Sequence, residues 1–412
     1  LLIRCVALKM YNYVPNLHAR PPSFALSLSS VLWLTLLTAA LIAPALEAQN
    51  TFGSRVSVAA KQLDHSKLTV KKKRHSWGSW YRTYTYANST AGDFTAGEDP
   101  VVRRAAVEAL GKFNGSVIVV NTNSGRILTM VNQKVALASG YIPCSTIKLV
   151  VGLAALNEGI VRPKQKVWFD GYWFMTMVNG LAISNNVYFE YLGNKLGFDC
   201  LKYYANQYGF GEKAGLRIPG EQLGKFPEQE ISSGIERMSS FGEGITATPL
   251  QIAAFVSAIA NGGTLYYLQA PRKPSEMATL EPTVKRHLVG ARWLPEVRSG
   301  MLEAVKRGTG RKASSAGLIL YGKTGTCSQY RRPGRTHLGW FACFNDVSGH
   351  GKDKKKQLAV VVMLRGGPMM YGPRAAEIAG NIYQRLGEHN YFVPTITTNE
   401  IGTSGTQNLC TP

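Results

Sequence analysis

Acidic residues are scarce in this sequence. Its 412 residues include 25 Asp and Glu against 47 Lys and Arg, which leaves a net charge of +22. Such an excess should attract anions such as nucleic acid, acidic lipid head groups or anionic wall polymers. The charge alone does not choose among these partners.

Histidines and metal-binding patterns are also sparse. None of the seven histidines lies in a recognisable nucleophile setting, and we expect His337 to be packed or solvated rather than catalytic. No His, Asp and Glu cluster has the spacing of metal ligands, and no phosphate-cradling loop is present. The sequence therefore disfavours a histidine-based triad and metal-dependent hydrolysis, and we expect no cofactor and no metal.

The cysteines are too few and too widely spaced for a disulfide scaffold or a zinc site. They are Cys5, Cys144, Cys200, Cys327, Cys343 and Cys410. One disulfide is compatible with this spacing, but the sequence does not show which cysteines would pair. We interpret Cys144 as a small packed residue rather than a redox group.

Charged residues are missing from one long stretch, Pro21–Leu46, which follows Arg4, Lys9 and Arg20. A basic flank, an apolar run and small residues at its end are typical of a secretion signal, either cleaved or kept as a single-pass anchor. The positive flank predicts that the rest of the chain lies outside the cytoplasm, in the periplasm or on the outer face of the cell membrane. There a basic protein meets wall or membrane anions, so we expect no nucleic-acid partner.

The remaining chain divides into three parts. Residues 49–99 are predicted to be a basic polar linker, whose run Lys67–Tyr86 either contacts head groups or glycan or is simply solvated. Residues 100–390 have the pattern of apolar and polar residues that is typical of a globular domain. Residues 391–412 are predicted to be a disordered tail.

Patterns within residues 100–390 predict an α+β fold, in which an antiparallel sheet is flanked by helices and joined to an all-helical lobe. Strands near both ends of the domain would share that sheet. The predicted elements are a helix at Val101–Phe113, a hairpin at Ser116–Val131, a capped helix at Thr248–Gly263, strands at Leu318–Thr326, His337–Phe344 and Gln357–Leu364, and a helix at Pro373–Glu388.

Ser145 and Lys148 form the first of three short motifs. On a helix, positions i and i+3 share a face, so the lysine amine can approach the serine hydroxyl. A lysine whose pKa is depressed by burial or by a nearby cation can accept the proton of that hydroxyl. The motif is common by chance, and alone it would indicate only a helix cap with a solvated lysine.

The second motif alone would indicate only a polar helix start, whereas the third is far rarer by chance. Ser184 and Asn186, two positions apart, can relay a proton and bind a substrate amide. Lys323-Thr324-Gly325-Thr326 ends an apolar strand, where Gly325 permits close approach of another chain and an open edge can pair with an extended peptide. Lys323 and Thr326 would supply a positive charge and hydrogen-bond donors for a carboxylate.

Ser-x-x-Lys, Ser-x-Asn and Lys-Thr-Gly, in this order, form the signature of penicillin-binding proteins and class A β-lactamases. The stretches Pro143–Gly159, Gly209–Pro227 and Phe241–Gly263 also resemble the transpeptidase domain of class B-like penicillin-binding proteins. The resemblance covers roughly residues 100–390. One departure is Cys144, which stands where the family usually has glycine.

The resemblance implies a serine D-Ala-D-Ala transpeptidase that acts on peptidoglycan stem peptides and is acylated by β-lactam antibiotics. Ser145 would be the nucleophile, Lys148 its base, Ser184 the proton relay, and Lys323 the residue that tunes this relay. The implied substrate-binding residues are Asn186 for the acyl amide and Thr324, Gly325 and Thr326 for the terminal carboxylate and strand pairing. The backbone N–H groups of Ser145 and Thr326 would form the oxyanion hole.

Three alternatives share the acyl-enzyme. A D,D-carboxypeptidase or endopeptidase would pass the acyl group to water. A β-lactamase would need a deacylating base, and no convincing glutamate motif lies between the second and third signatures. A β-lactam or wall-fragment sensor would acylate and stay acylated.

Overall fold

The computed structural model describes residues 83–314, 318–331, 334–346 and 356–392. The predictions for the signal, for most of the linker and for nearly all of the tail lie outside these ranges. No helix within them is long and apolar enough to cross a bilayer.

Eleven helices are present in the described ranges. They are α1 (Pro100–Leu110), α2 (Gln133–Ala136), α3 (Lys148–Asn157), α4 (Met177–Ala182), α5 (Asn186–Leu196), α6 (Phe198–Gln207), α7 (Gly234–Phe241), α8 (Pro249–Asn261), α9 (Pro274–Ala278), α10 (Leu294–Lys306) and α11 (Gly372–Glu388). Short 3₁₀ turns cover Cys144–Ile147, Ala291–Trp293 and Arg311–Ala313.

The same ranges contain nine strands. They are β1 (Gly115–Asn121), β2 (Ile127–Val131), β3 (Val167–Phe169), β4 (Trp173–Met175), β5 (Thr264–Tyr266), β6 (Val284–His287), β7 (Leu320–Arg331), β8 (Gly334–Asn345) and β9 (Leu358–Gly366). The predicted hairpin, the three late strands and the helices near residues 101, 248 and 373 are all confirmed.

Five of these strands form the main sheet, in the order β2-β1-β9-β8-β7, and every neighbouring pair is antiparallel. The early hairpin pairs with the late strands through β1 and β9. This confirms an α+β fold whose sheet joins both ends of the domain. In this sheet β7, which carries the Lys-Thr-Gly motif, is an edge strand.

Successive side chains of a strand point to opposite faces of the sheet, and these strands carry apolar residues on both faces. Helices therefore cover both faces. On one face Val117, Val119, Val360 and Val362 pack into a core with α1 and α11. On the other face lies α8, whose residues are buried from Pro249 to Ala260. Because α8 is buried on all its sides, its sequence is apolar all round.

Local signals in the sequence start and stop these helices. Thr248 and Gln251 make the predicted capping box of α8, since each side chain accepts from the other residue's backbone N–H. Asp99 caps α1 by accepting from the N–H groups of Val101 and Val102.

Residues 83–99 lie against the globular domain. Asp93 forms an ion pair with Arg103 at 2.7 Å, and the Glu98 carboxylate accepts from the backbone N–H of Met130. Burial raises the pKa of Glu98. The domain boundary at residue 100 stays a prediction, but the chain is already ordered against the domain before it.

Candidate active site

Ser145 lies in the 3₁₀ turn Cys144–Ile147, which runs directly into α3. The residue is 9% exposed, so it is largely but not fully buried. The first N–H groups of a helix have no intrahelical acceptor, and they lie beside this residue. The preceding Cys144 has a φ of +50°, which sets the turn that presents the serine.

Lys148 is fully buried at the start of α3. Its Nζ lies 2.6 Å from Oδ1 of Asn186, 2.7 Å from the carbonyl oxygen of Ser184 and 3.3 Å from Oγ of Ser184. Burial lowers its pKa to about 7, and the Glu190 carboxylate partly opposes this shift. A substantial neutral fraction is therefore present near neutral pH.

A neutral Lys148 has two N–H donors and one lone pair. The carbonyl oxygen of Ser184 and Oδ1 of Asn186 can accept both donors, so the lone pair stays available for the proton of a hydroxyl group. The two acceptors thus orient the amine as a base.

Ser184 lies between α4 and α5 and has a φ of +57°. Its neighbour Asn185 caps α5 by accepting from the backbone N–H of Tyr188, which places Asn186 at the first position of that helix. The second motif is thus a helix start, as its composition suggests, and it also faces Lys148.

Lys323 contacts the same serine from β7. Its Nζ donates to Oγ of Ser184 at 2.8 Å and to the carbonyl oxygen of Thr324 at 3.0 Å. Lys323 is fully buried, and burial together with nearby Lys148 holds its pKa well below the usual value for lysine. The Ser184 hydroxyl therefore bridges two lysines.

The two threonines of the third motif differ in exposure. Thr326 is exposed, and its Oγ1 accepts from the backbone N–H of Gly372 at 2.8 Å, which leaves its own proton free to donate. Thr324 is 4% exposed, and its hydroxyl pairs with that of Thr309. Of the two hydroxyl groups, that of Thr326 is the one open to a ligand.

Gly325 lies where a side chain would be tightly packed against its neighbours. A Cβ there would lie 3.0 Å from the carbonyl oxygen of Pro143 and 3.3 Å from Cβ of Cys144. The strand and the loop before Ser145 therefore touch through their backbones.

A disulfide joins this loop to the strand. Cys144 and Cys327 are bonded, with their Cα atoms 5.6 Å apart. Cys144 is buried as predicted, but it is half of a cystine, so its interpretation as merely a packed residue was wrong. The signal in the sequence is that each cysteine adjoins a motif residue, Ser145 or Thr326.

All three motifs therefore meet in one site. Asn186, Lys148, Ser184 and Lys323 form a continuous hydrogen-bonded chain. Within the described ranges, the structure records no hydrogen bond of the Ser145 hydroxyl.

Sequence reasoning missed Thr309 and Glu190, which have no motif of their own. Among the residues described, no cluster of His, Cys, Asp and Glu side chains is suited to hold a metal ion.

The fold and this arrangement define a class, α+β domains in which a serine hydroxyl is contacted by two buried lysines beside a second serine. The model of the penicillin binding protein transpeptidase domain matches residues 115–384. The chain therefore belongs to the penicillin-binding protein transpeptidase domain family.

Several curated proteins are similar to the chain. It is 30% identical over 224 residues to stage V sporulation protein D of Bacillus subtilis, which covers 48% of this chain and 35% of that protein. It is 28% identical over 309 residues to the peptidoglycan D,D-transpeptidase FtsI of Escherichia coli, covering 65% of this chain and 50% of that protein. The chain thus spans between a third and a half of the length of these relatives.

Solved structures support the fold. The transpeptidase domain of Burkholderia pseudomallei penicillin-binding protein 3 matches with a TM-score of 0.59 at 19% identity, covering 73% of this chain and 96% of that one. Penicillin-binding protein 3 from Mycobacterium tuberculosis in complex with aztreonam matches with a TM-score of 0.57 at 22% identity, covering 72% and 78%.

Proposed function

We propose that this protein is a peptidoglycan D,D-transpeptidase that acts through an acyl-enzyme on Ser145. The observation that carries the proposal is the buried Lys148, whose amine has a pKa near neutrality and is oriented by two acceptors. A base of this kind is what a serine nucleophile requires.

In the acylation step, Oγ of Ser145 attacks the carbonyl carbon between the two D-alanines, and its proton passes to Nζ of Lys148. The backbone N–H groups of Ser145 and Thr326 stabilise the oxyanion. As the C–N bond breaks, the Ser184 hydroxyl gives its proton to the departing D-alanine amine and recovers one from Lys148. The chain of contacts from Lys148 to Ser184 supports this relay.

The substrate would bind along β7. An edge strand has unpaired backbone groups with which an extended stem peptide can pair. Asn186 would hold the acyl amide, and Thr326 would bind the terminal carboxylate with Gly325 and Thr324 behind it. Lys323 would tune the electrostatics of the relay through Ser184.

An amine on a neighbouring stem would then take the acyl group and form a cross-link. The substrate predicts an extracytoplasmic location, in agreement with the apolar segment at residues 21–46. The basic linker would contact membrane head groups or wall polymer. β-Lactams should acylate the same serine because they mimic the D-Ala-D-Ala end.

The proposal is tested by incubating the full chain with a fluorescent penicillin and following its intact mass over hours. We expect a stable adduct on Ser145 that Ser145→Ala abolishes. Ser299→Ala, a change at an exposed serine of α10, is the matched control and should keep the adduct.

A second assay gives the chain stem pentapeptides with an amine acceptor. A transpeptidase releases D-alanine and forms the cross-linked product, whereas hydrolysis alone would indicate a carboxypeptidase. A penicillin adduct that vanishes within seconds would indicate a β-lactamase. A stable adduct with neither product would indicate a sensor, and folded protein without any adduct would refute the acyl-enzyme.

A further inference from the structure

The Cys144–Cys327 disulfide spans the two sides of the proposed oxyanion hole. Cys144 directly precedes Ser145, and Cys327 directly follows Thr326. Each half-cystine is therefore one position away from one of the two N–H donors. A single covalent bond links the segments that carry both donors, although the cysteines are 183 positions apart in sequence.

The other links of the loop before Ser145 are non-covalent, and they include a hydrogen bond from Arg365 of β9 to the hydroxyl of Tyr141. The carbonyl oxygen of Ile142 accepts from Nε1 of Trp340 at 3.0 Å, and Tyr141 pairs with Ala247 through its backbone. No backbone pairing between this loop and β7 occurs in the described ranges. The bridge is thus the covalent link between the nucleophile loop and the Lys-Thr-Gly strand, beside the close approach of Gly325 to Pro143.

The conformation of Cys144 adds a second observation. Its φ of +50° lies in the left-handed region that favours glycine. A cysteine has no advantage over glycine there unless its side chain has a function. The side chain is fully buried against Gly325, so its contribution is the bond to Cys327.

We propose that the Cys144–Cys327 disulfide is a positioning cross-link, which holds the N–H groups of Ser145 and Thr326 at the separation that stabilises the oxyanion. Its reduction slows acylation without unfolding the domain. The inference rests on the proposed acylation of Ser145. Both cysteines act through their neighbours and touch no reacting atom.

The bridge can be opened chemically. A phosphine reductant in water supplies two electrons, two protons restore the two thiols, and the phosphine becomes its oxide. Cys327 is partly exposed, which gives the reductant access, whereas the thiols of Cys200 and Cys343 are buried away from the loop.

The experiment uses the full chain, oxidised or reduced with the phosphine, and a reporter penicillin in stopped flow. Saturation separates the dissociation constant of the non-covalent complex from the acylation rate constant. Loss of one oxyanion-hole donor typically slows such a step by about 10²–10³, and displacement of a donor should slow it by at least about tenfold. We expect that fall in the rate constant on reduction, with an unchanged dissociation constant.

Two variants complete the design. Cys144→Gly combined with Cys327→Ala removes the bridge while giving the left-handed position its favoured residue, and we expect it to acylate slowly and to ignore the reductant. Cys200→Ala should behave like the wild type in both redox states. Circular dichroism confirms that each sample is folded.

The proposal would be overturned by a folded, reduced protein whose acylation rate constant lies within twofold of the oxidised value. The proposal would also be overturned if the Cys144→Gly, Cys327→Ala variant had the acylation rate constant of the wild type. The bridge would then serve only to offset the backbone strain at Cys144. Alkylation of Cys144 and Cys327 in the unreduced protein would show that no bridge exists. If the oxidised wild type forms no adduct, the proposed function fails, and this inference fails with it.

Discussion

Nζ of Lys323 lies 2.8 Å from Oγ of Ser184, and this contact joins β7 to the turn between α4 and α5. The lysine reaches it from a fully buried position. Removing a charged amine from water is costly, and the depressed pKa of Lys323 expresses that cost. Lys323 therefore lowers the stability of the fold, and its proposed role in the reaction accounts for its presence.

Replacing Lys323 by Met should separate stability from activity. We expect Lys323→Met to raise the free energy of unfolding by about 1 kcal/mol, because an apolar chain of similar length needs no desolvation of an amine. Acylation should fall by at least about 10²-fold because the relay through Ser184 loses one lysine. Thermal unfolding and penicillin acylation measure the two effects.

The pH dependence of that stability gain has a definite sign. The pKa of Lys323 is lower in the folded than in the unfolded chain, so its penalty is complete below the folded pKa and disappears as pH rises towards about 10.4. The advantage of Lys323→Met should therefore shrink between pH 7 and pH 10. A constant advantage would contradict the assignment.

The acylation rate should follow the titration of Lys148. Its pKa is about 7, and only the neutral amine accepts a proton. The second-order rate constant should rise about tenfold per pH unit well below pH 7 and level off above it. Stopped-flow measurements from pH 5 to 8.5 test this, and a flat profile would exclude Lys148 as the base.

Glu190 should set the midpoint of that profile. Its carboxylate stabilises the charged form of Lys148 and so raises the pKa of the amine. Glu190→Gln removes the negative charge, and the midpoint should move to lower pH while the plateau changes little. Glu388→Gln, at the end of α11, is a control that should leave the midpoint in place.

A methyl group on Gly325 should push β7 away from the nucleophile loop. The new Cβ would lie 3.0 Å from the carbonyl oxygen of Pro143. We expect Gly325→Ala to lower the acylation rate by about tenfold or more, since small displacements of reacting groups are costly. Gly387→Ala meets no atom within 4 Å and should keep full activity. Equal rates for both variants would refute the close fit.

Local patterns explain how much the sequence could predict. The capping box of α8 and the helix that includes Lys148 are short-range features, and the structure contains both, although Ser145 lies in the 3₁₀ turn before that helix. The β7–β9 strands were predicted from their apolar runs, although β7 extends to Arg331, five residues beyond the expected end. That extension depends on pairing with β8, which the strand's own sequence does not specify.

Contacts between distant segments account for what was missed. The Cys144–Cys327 pairing and the Thr309–Thr324 contact depend on how distant segments pack, and the one sequence signal for the disulfide is that each cysteine adjoins a motif residue. Likewise, the effect of Glu190 on Lys148 is visible only when α3 and α5 are placed side by side.

The position of β7 at the edge of the sheet also has a cost. The strand must leave its outer peptide groups unpaired to receive a substrate, and such a row is also a template for a strand of another copy of the protein. The exposed Tyr330 near its end adds apolar surface to that row. Self-association through this edge would block the proposed substrate-binding edge of β7, so a bound substrate should also protect the protein against aggregation.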